Sequence, residues 1–270
     1  MPQLKRWQLE PGIRFSLEKY YVDLVTAEGQ YFIGYSARLS LGNVNFDYAA
    51  TLHDPALSGL VTGPVLSTHN APVADDSGLR WHNPELGFDG RWHPLAAAET
   101  LVLHETKDGV VEWSCQQPAA RVHLKTGTGK SYDGLGYAEF LNLTIPPWQL
   151  GLQTLYWGRF VSENHAVVWI EWQGEHPLTV LICDGQKIAD ASISDNEVMC
   201  GDFELTLERG ATVPVGSIAE KLVTKIPPTL RVSPVEFLSG REQKFLSRGH
   251  LRFVNGTEDS GWVIHERVSW

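Results

Sequence analysis

Apolar and polar residues alternate with a period of two along most of this chain, the pattern of strands with one face buried. Ser16 to Thr26 and Gln30 to Leu41 carry it on either side of Ala27-Glu28-Gly29, which reads as a short hairpin loop. Leu41-Gly42-Asn43 turns the chain into a third run, Val44 to Leu52. Leu101 to Glu105 and Val110 to Ser114 flank Lys107-Asp108-Gly109, and Ala119 to Lys125 follows as a separate run. Tyr137 to Thr144 closes at Ile145-Pro146-Pro147, and Leu152 to Val161 and Ala166 to Trp172 form a hairpin turned by Ser162 to His165. Pro177 to Asp184, Asp202 to Glu208, Leu230 to Glu236, Gly249 to Val254 and Ser260 to Ser269 complete the set.

Helical signals are scarce: Pro214 to Val223 and Val235 to Ser247 have room for a turn or two each. His53 to Pro84 is rich in Gly, Ser, Pro and Asp and reads as a long loop, of the kind that serves as a lid or binding loop. Many short strands with Gly turns predict an all-β barrel or sandwich. The halves share a loose plan, since YFIGYSARLS and LYWGRFVSEN are both aromatic-Gly-basic strands.

The alternation also says which charges share a face with apolar neighbours. Glu139 shares one with Tyr137, Leu141 and Leu143, and Arg159 with Leu155, Trp157 and Val161. Glu171 follows His165, Val167 and Trp169; Glu266 sits among Trp262, Ile264 and Val268; Glu18 begins a row with Tyr20, Val22 and Leu24. A charge on a buried face is costly unless paired or used. Glu18 and Glu171 fit a solvated rim. Glu139 and Glu266 lie nearer mid-strand, where either an ion pair with Arg159 or direct chemistry explains them, because a guanidinium fork matches a carboxylate. A carboxyl buried without such a pair has its pKa raised and can donate a proton near neutral pH. That suits addition to an alkene, with Tyr and Trp faces steadying the cation that develops. Asp133 and Asp184 each precede a Gly and read as turn residues, and Trp148 after the double proline reads as a packing anchor or a pocket wall.

Composition narrows the class. The hydrophobic fraction is 43% and the charged fraction 20%, as in a globular protein. Ten Trp is a high count, and Trp gathers in cores, interfaces and pockets. A net charge of −10 opposes nucleic-acid binding, which needs basic patches. Cys115, Cys183 and Cys200 are an odd number with no C-x-x-C pair, which favours free thiols in a reducing compartment. No signal-peptide pattern and no run of about 20 apolar residues is present, so a cytoplasmic location is expected. Weak contact with a membrane surface stays open if the ligand is a lipid. The ten His do not fall at metal-ligand spacing, and Gly127-Thr128-Gly129-Lys130-Ser131 lacks the spacing of a phosphate loop. No metal and no cofactor is expected.

GLGYAEFL, PPW, LYWGRF and VVWIEW, together with EKYYVDLVTAEGQYFIGY and the closing GWVIHERVSW, resemble the lipocalin-like family of carotenoid 1,2-hydratases (hydroxyneurosporene synthases) and the related tocopherol cyclases. Tyr20 stands where that family commonly has Trp. The resemblance implies two packed lipocalin-like antiparallel β-barrel or sandwich units with little helix, residues 1–150 and 151–270, and a ligand cavity in or between them. It implies hydration or cyclisation without a metal or redox cofactor, and it does not assign the acid to one residue.

The expectation is therefore an enzyme acting on an apolar isoprenoid or polyketide-like substrate by acid-assisted cyclisation or hydration. Glu139 or Glu266 would be the acid, and Arg159 would hold the acid or a polar end of the substrate. Tyr35, Tyr137, Trp157 and Trp169 would form the aromatic wall, with Trp148 and Glu171 also facing the ligand. The alternatives are a carrier with the same cavity and no chemistry, and an interaction protein whose Trp residues only pack two barrels together.

Overall fold

The computed structural model describes residues 14–66, 70–214 and 241–270. Ten strands build a first sheet: β1 (Phe15–Val25), β2 (Tyr31–Leu41), β3 (Val44–His53), β4 (Gly63–Leu66), β5 (Val73–Asp75), β6 (Gly78–Asn83), β7 (Phe88–Pro94), β8 (Glu99–Thr106), β9 (Gly109–Thr126) and β10 (Ser131–Leu143). A single 3-10 turn, Pro147–Gln149, leads to the second sheet. Its strands are β11 (Leu152–Val161), β12 (Ala166–Gly174), β13 (Leu178–Cys183), β14 (Gln186–Ile188), β15 (Ser192–Ile193), β16 (Glu197–Met199), β17 (Phe203–Val213), β18 (Arg241–Phe253) and β19 (Glu258–Ser269). The fold is all-β, two curled antiparallel units of lipocalin-like form, with no α-helix among the described residues.

The sheets repeat one plan. The first runs β4-β3-β2-β1-β10-β9-β7-β6-β5, with β8 also on β9, and the second runs β14-β13-β12-β11-β19-β18-β17-β16-β15. In each, the opening strand pairs with the closing one, so β1 corresponds to β11 and β10 to β19. The likeness of YFIGYSARLS and LYWGRFVSEN is thus not a match of equivalent strands, because the former is β2 and the latter begins in β11.

Each central strand is buried on both sides. Val22, Leu24, Phe32, Trp81, Trp92 and Leu124 fill the hollow of the first sheet, and Phe160, Val167, Trp169, Leu181, Leu205 and Leu251 that of the second. A third cluster lies where the sheets meet and draws on both: Tyr21, Tyr35, Trp113 and Tyr137 from one, Trp157, Val168, Ile170 and Ile264 from the other. The hairpin loop of β1 and β2 docks on this junction, with Gly29 at φ +83° against the indole of Trp262.

Three sequence expectations are corrected. The region from His53 to Pro84 holds β4, β5 and β6; Leu79, Trp81 and Asn83 of β6 alternate inward, in a run too short and polar to stand out. Strand β18 starts at Arg241, so the 241–247 part of the expected helical turn is strand; buried Lys244 hides its alternation. The runs Val110 to Ser114 and Ala119 to Lys125 are one strand, β9. The expected strand Leu230 to Glu236 and the possible turn after Pro214 lie outside the described residues.

Candidate functional site

Register stacks the junction side chains in layers. Tyr21 lies between Tyr35 on β2 and Glu139 on β10, while across the junction Trp157 pairs with Glu266, which pairs with Lys244 on β18. One layer deeper, Asp23 is opposite Tyr137 and Arg159 opposite Ile264. One layer outward, Lys19 is opposite Leu141, Leu155 opposite Val268, and Val268 opposite Glu242. Burial falls in the same direction. Asp23 and Arg159 are fully buried, Tyr21, Trp157 and Lys244 nearly so, whereas Lys19, Leu141, Leu155, Leu17 and Leu39 are half-buried and the Glu242 side chain is 35% exposed. The junction is therefore a polar-centred, ring-lined core whose cover thins at Leu17 and Leu39.

At its deepest point Arg159 donates from Nε and Nη2 to Asp23 at 3.0 and 2.6 Å, and from Nη1 to the Trp262 carbonyl at 3.1 Å. The Tyr21 hydroxyl adds a bond to Asp23 at 3.0 Å. Burial pushes the Asp23 carboxyl up, and the Arg159 charge with these hydrogen bonds opposes it. Arg159 was expected to pair with Glu139 or Glu266; its partner is Asp23, a residue that the alternation had not singled out.

Glu139 sits one layer above. Its Oε2 accepts from Trp113 Nε1 at 2.6 Å, the Tyr137 hydroxyl at 2.7 Å and Trp157 Nε1 at 3.1 Å. Burial raises this carboxyl above its ordinary range, against the Lys19 charge and the three donors. An indole N–H can only donate, so Oε2 is already filled as an acceptor and a proton on Glu139 belongs on Oε1. Strand β9 bulges twice here: its register shifts opposite Tyr137, between the partners of Gly136 and Ala138, and again opposite Glu139, between those of Ala138 and Phe140. Bulges of this kind re-aim neighbouring side chains. Pro118, which has no N–H for the ladder, falls in the first of them.

Glu266 is held by Lys244, whose ammonium also lies 3.6 Å from Glu242. That ammonium stands 5.5, 5.7 and 5.6 Å from the ring centroids of Tyr21, Tyr35 and Trp157. Burial works to raise Glu266, but the charges of Lys244 and Lys19 together hold it below the ordinary carboxylate range. Burial, then the negative charge of Glu266, push Glu242 up. The two carboxyls are driven apart, one toward the anion and one toward the acid. Glu242, Lys244 and Lys19 were missed from the sequence: the row of Lys244 on β18 also carries Glu242, Arg248, His250 and Arg252, and reads as a solvated face.

The remaining expected residues divide. Tyr35, Tyr137 and Trp157 are in ring contact with Tyr21, at 5.4, 6.0 and 5.0 Å, within the junction. Trp148 packs edge-on to Phe15 at 5.7 Å, beside the same cluster. Trp169 is not in the wall: its ring lies over Gly158 inside the second unit, because residues of odd number on β12 face that hollow. Glu171 shares that row and is half-buried, accepting from the Gln173 side chain at 2.7 Å, away from the junction. Glu18 and Tyr20 also face away, onto an open groove of about 850 Å³ that Phe140, Arg80 and His82 help to line. Among the described residues no His, Cys, Asp and Glu gather as a metal site, and no helix is long and apolar enough to cross a membrane.

The all-β, two-unit architecture is shared with solved proteins. Kievitone hydratase from Nectria haematococca is 10% identical, with a TM-score of 0.53 over 94% of this chain and 88% of that one. CghA, solved with Sch210972, gives 10% identity and a TM-score of 0.51 over the same shares. An AttH-like protein of Nitrosomonas europaea is 9% identical, with a TM-score of 0.50 over 98% of both chains. At these identities the likeness is one of fold. No family model matches the sequence, and no curated protein does.

Proposed function

We propose that the chain is an enzyme that hydrates or cyclises an apolar, alkene-bearing substrate in a cleft at the junction of its two units, using a protein carboxyl as acid and no cofactor. The observation that carries this is Glu139: a carboxyl raised by burial, fixed through one oxygen by three neutral donors, among the aromatic rings of the junction. The likeness in fold to a hydratase agrees with it.

In this reading Glu139 Oε1 gives its proton to one alkene carbon. The cation left on the other carbon faces Tyr21, Tyr35 and Trp157, whose ring faces attract positive charge. Water, or a second nucleophile of the same substrate, closes the new bond and gives up a proton. Glu266, kept ionised beside Lys244, is placed to receive it and Glu242 to exchange it with solvent. For hydration the balance is alkene plus water to alcohol; for cyclisation the product is an isomer. Arg159, held by Asp23 and the Trp262 carbonyl, serves to position the two sheets.

The test is incubation with a panel of isoprenoid and polyketide-derived alkenes in 18O water, read by mass spectrometry. A gain of one labelled water, or an isomer of unchanged mass, is expected, and Glu139→Gln should lower its rate by roughly 10²–10⁴-fold. Bound but unconverted ligand, with Glu139→Gln indistinguishable from the parent, would replace this reading with that of a carrier.

A further inference from the structure

A cleft for an apolar molecule needs few polar groups, and those present indicate what the molecule carries. The two cations deepest in the junction are committed: Arg159 to Asp23, Lys244 to Glu266 and Glu242. Lys19 is not. It faces the junction one layer above Tyr21, half-buried, with its ammonium 5.2 Å from the centroid of the Tyr35 ring and no ion pair within 4 Å among the described residues. Its surroundings on that face are Leu17 and Tyr21 along β1, and Leu141 and Ala37 across the ladders.

Resting on the reading that the cleft receives an apolar ligand, we propose that this ligand bears an anionic oxygen, a carboxylate or an ionised enol or phenol, which pairs with Lys19. The arrangement of charges supports it. Glu266 is in direct contact with Lys244, whereas Lys19 acts on Glu139, Glu242 and Glu266 only at longer range, which leaves its ammonium open to a direct partner of opposite charge. The ring of Tyr35 holds the ammonium in place without neutralising it. The geometry also orders the ligand: its acidic end lies at the half-buried layer and its apolar body reaches down to Tyr21 and Trp157. An anion arriving at Lys19 would cancel the positive charge that opposes protonation of Glu139, so substrate binding and loading of the acid would be coupled.

The test uses two probes with one apolar body and different heads, retinoate and retinol, titrated into the full chain while tryptophan fluorescence is followed. Retinoate is expected to bind at least tenfold more tightly, as a charge-assisted pair requires. Lys19→Met should erase that preference and leave retinol binding unchanged, and Lys19→Arg should restore it. Equal affinity for the two heads, or a preference that survives in Lys19→Met, would overturn the proposal alone. Failure of both retinoids to bind would overturn the cleft reading and this proposal with it.

Discussion

Asp23 and Arg159 occupy equivalent places in the two sheets and meet across the junction at 2.6 Å. Each stands two residues before the end of its sheet's opening strand, β1 or β11. The correspondence extends to their neighbours: Tyr21 matches Trp157, and the ladder partners of those two, Glu139 and Glu266, match each other. One plan used twice thus delivers a carboxylate from one side, a guanidinium from the other, and two glutamates above them.

Breaking this pair should be far costlier than losing a surface bridge. Asp23→Ala leaves a fully buried guanidinium without its partner, and about 3–5 kcal/mol of stability should go with it. Replacing both, Asp23→Leu with Arg159→Met, should recover most of the loss, because no charge is then left uncompensated. Urea unfolding of the three variants checks this. A cost below about 1 kcal/mol for Asp23→Ala would mean that the junction opens to water.

Glu139 makes the fold sensitive to rising pH. Its carboxyl is raised in the folded state above the value of 4.5 that an unperturbed Glu has. The folded protein therefore holds a proton that the unfolded chain has released, and stability declines as pH climbs from that value through the raised one. Glu139→Gln removes this contribution. Relative to the parent it should be more stable at pH 8 than at pH 4, measured by denaturant titration at both. The same difference at both values would show that Glu139 ionises as an ordinary carboxyl.

His265 acts at the other end of the range. Its Nε2 lies 2.9 Å from the Ser247 hydroxyl, and burial, followed by the Arg209 charge, lowers its pKa from 6.5 to about 4. The unfolded chain takes up a proton that the folded one refuses, so stability is full above 6.5 and lost as pH falls toward 4. The loss is on the order of 3 kcal/mol. His265→Gln should flatten this limb, and an unchanged slope between pH 6.5 and 4 would refute the assignment.

Gly29 should resist substitution. A Cβ there would come within 2.6 Å of the Trp262 ring, and its φ of +83° disfavours any L side chain. Gly29→Ala should lower stability by about 1–3 kcal/mol and alter tryptophan fluorescence, as the hairpin lifts from the second sheet. A melting curve that overlays the parent would show that the loop does not bear on the junction.

Alternation along strands was enough to place Glu139, Tyr137, Trp157 and Arg159 on buried faces, and the structure groups all four. It could not tell which of two buried faces a residue occupies. Strands β11 and β12 are apolar on both sides, one toward the hollow of their unit and one toward the junction, so Trp157 and Trp169 looked alike. Asp23 escaped notice because its row on β1, Leu17, Lys19, Tyr21 and Asp23, carries two charges and reads as a solvated face. Lys244 was hidden because a buried lysine breaks the apolar pattern that reveals a strand, and Glu242 because only the fold across β18 and β19 brings it to Glu266. Pairing is a property of two sheets, whereas periodicity is a property of one.

The charge shared between the units has an implication for how such a protein can be recombined. Severed from the rest, the N-terminal unit would present Tyr21, Tyr35 and Trp113 to water together with an orphaned carboxylate, and its counterpart would present Trp157 with an orphaned guanidinium. A chimera that grafts one unit onto a foreign mate must therefore import complementary polarity as well as matching shape. Parental halves of mismatched sign should fail to dock even where every apolar contact is preserved.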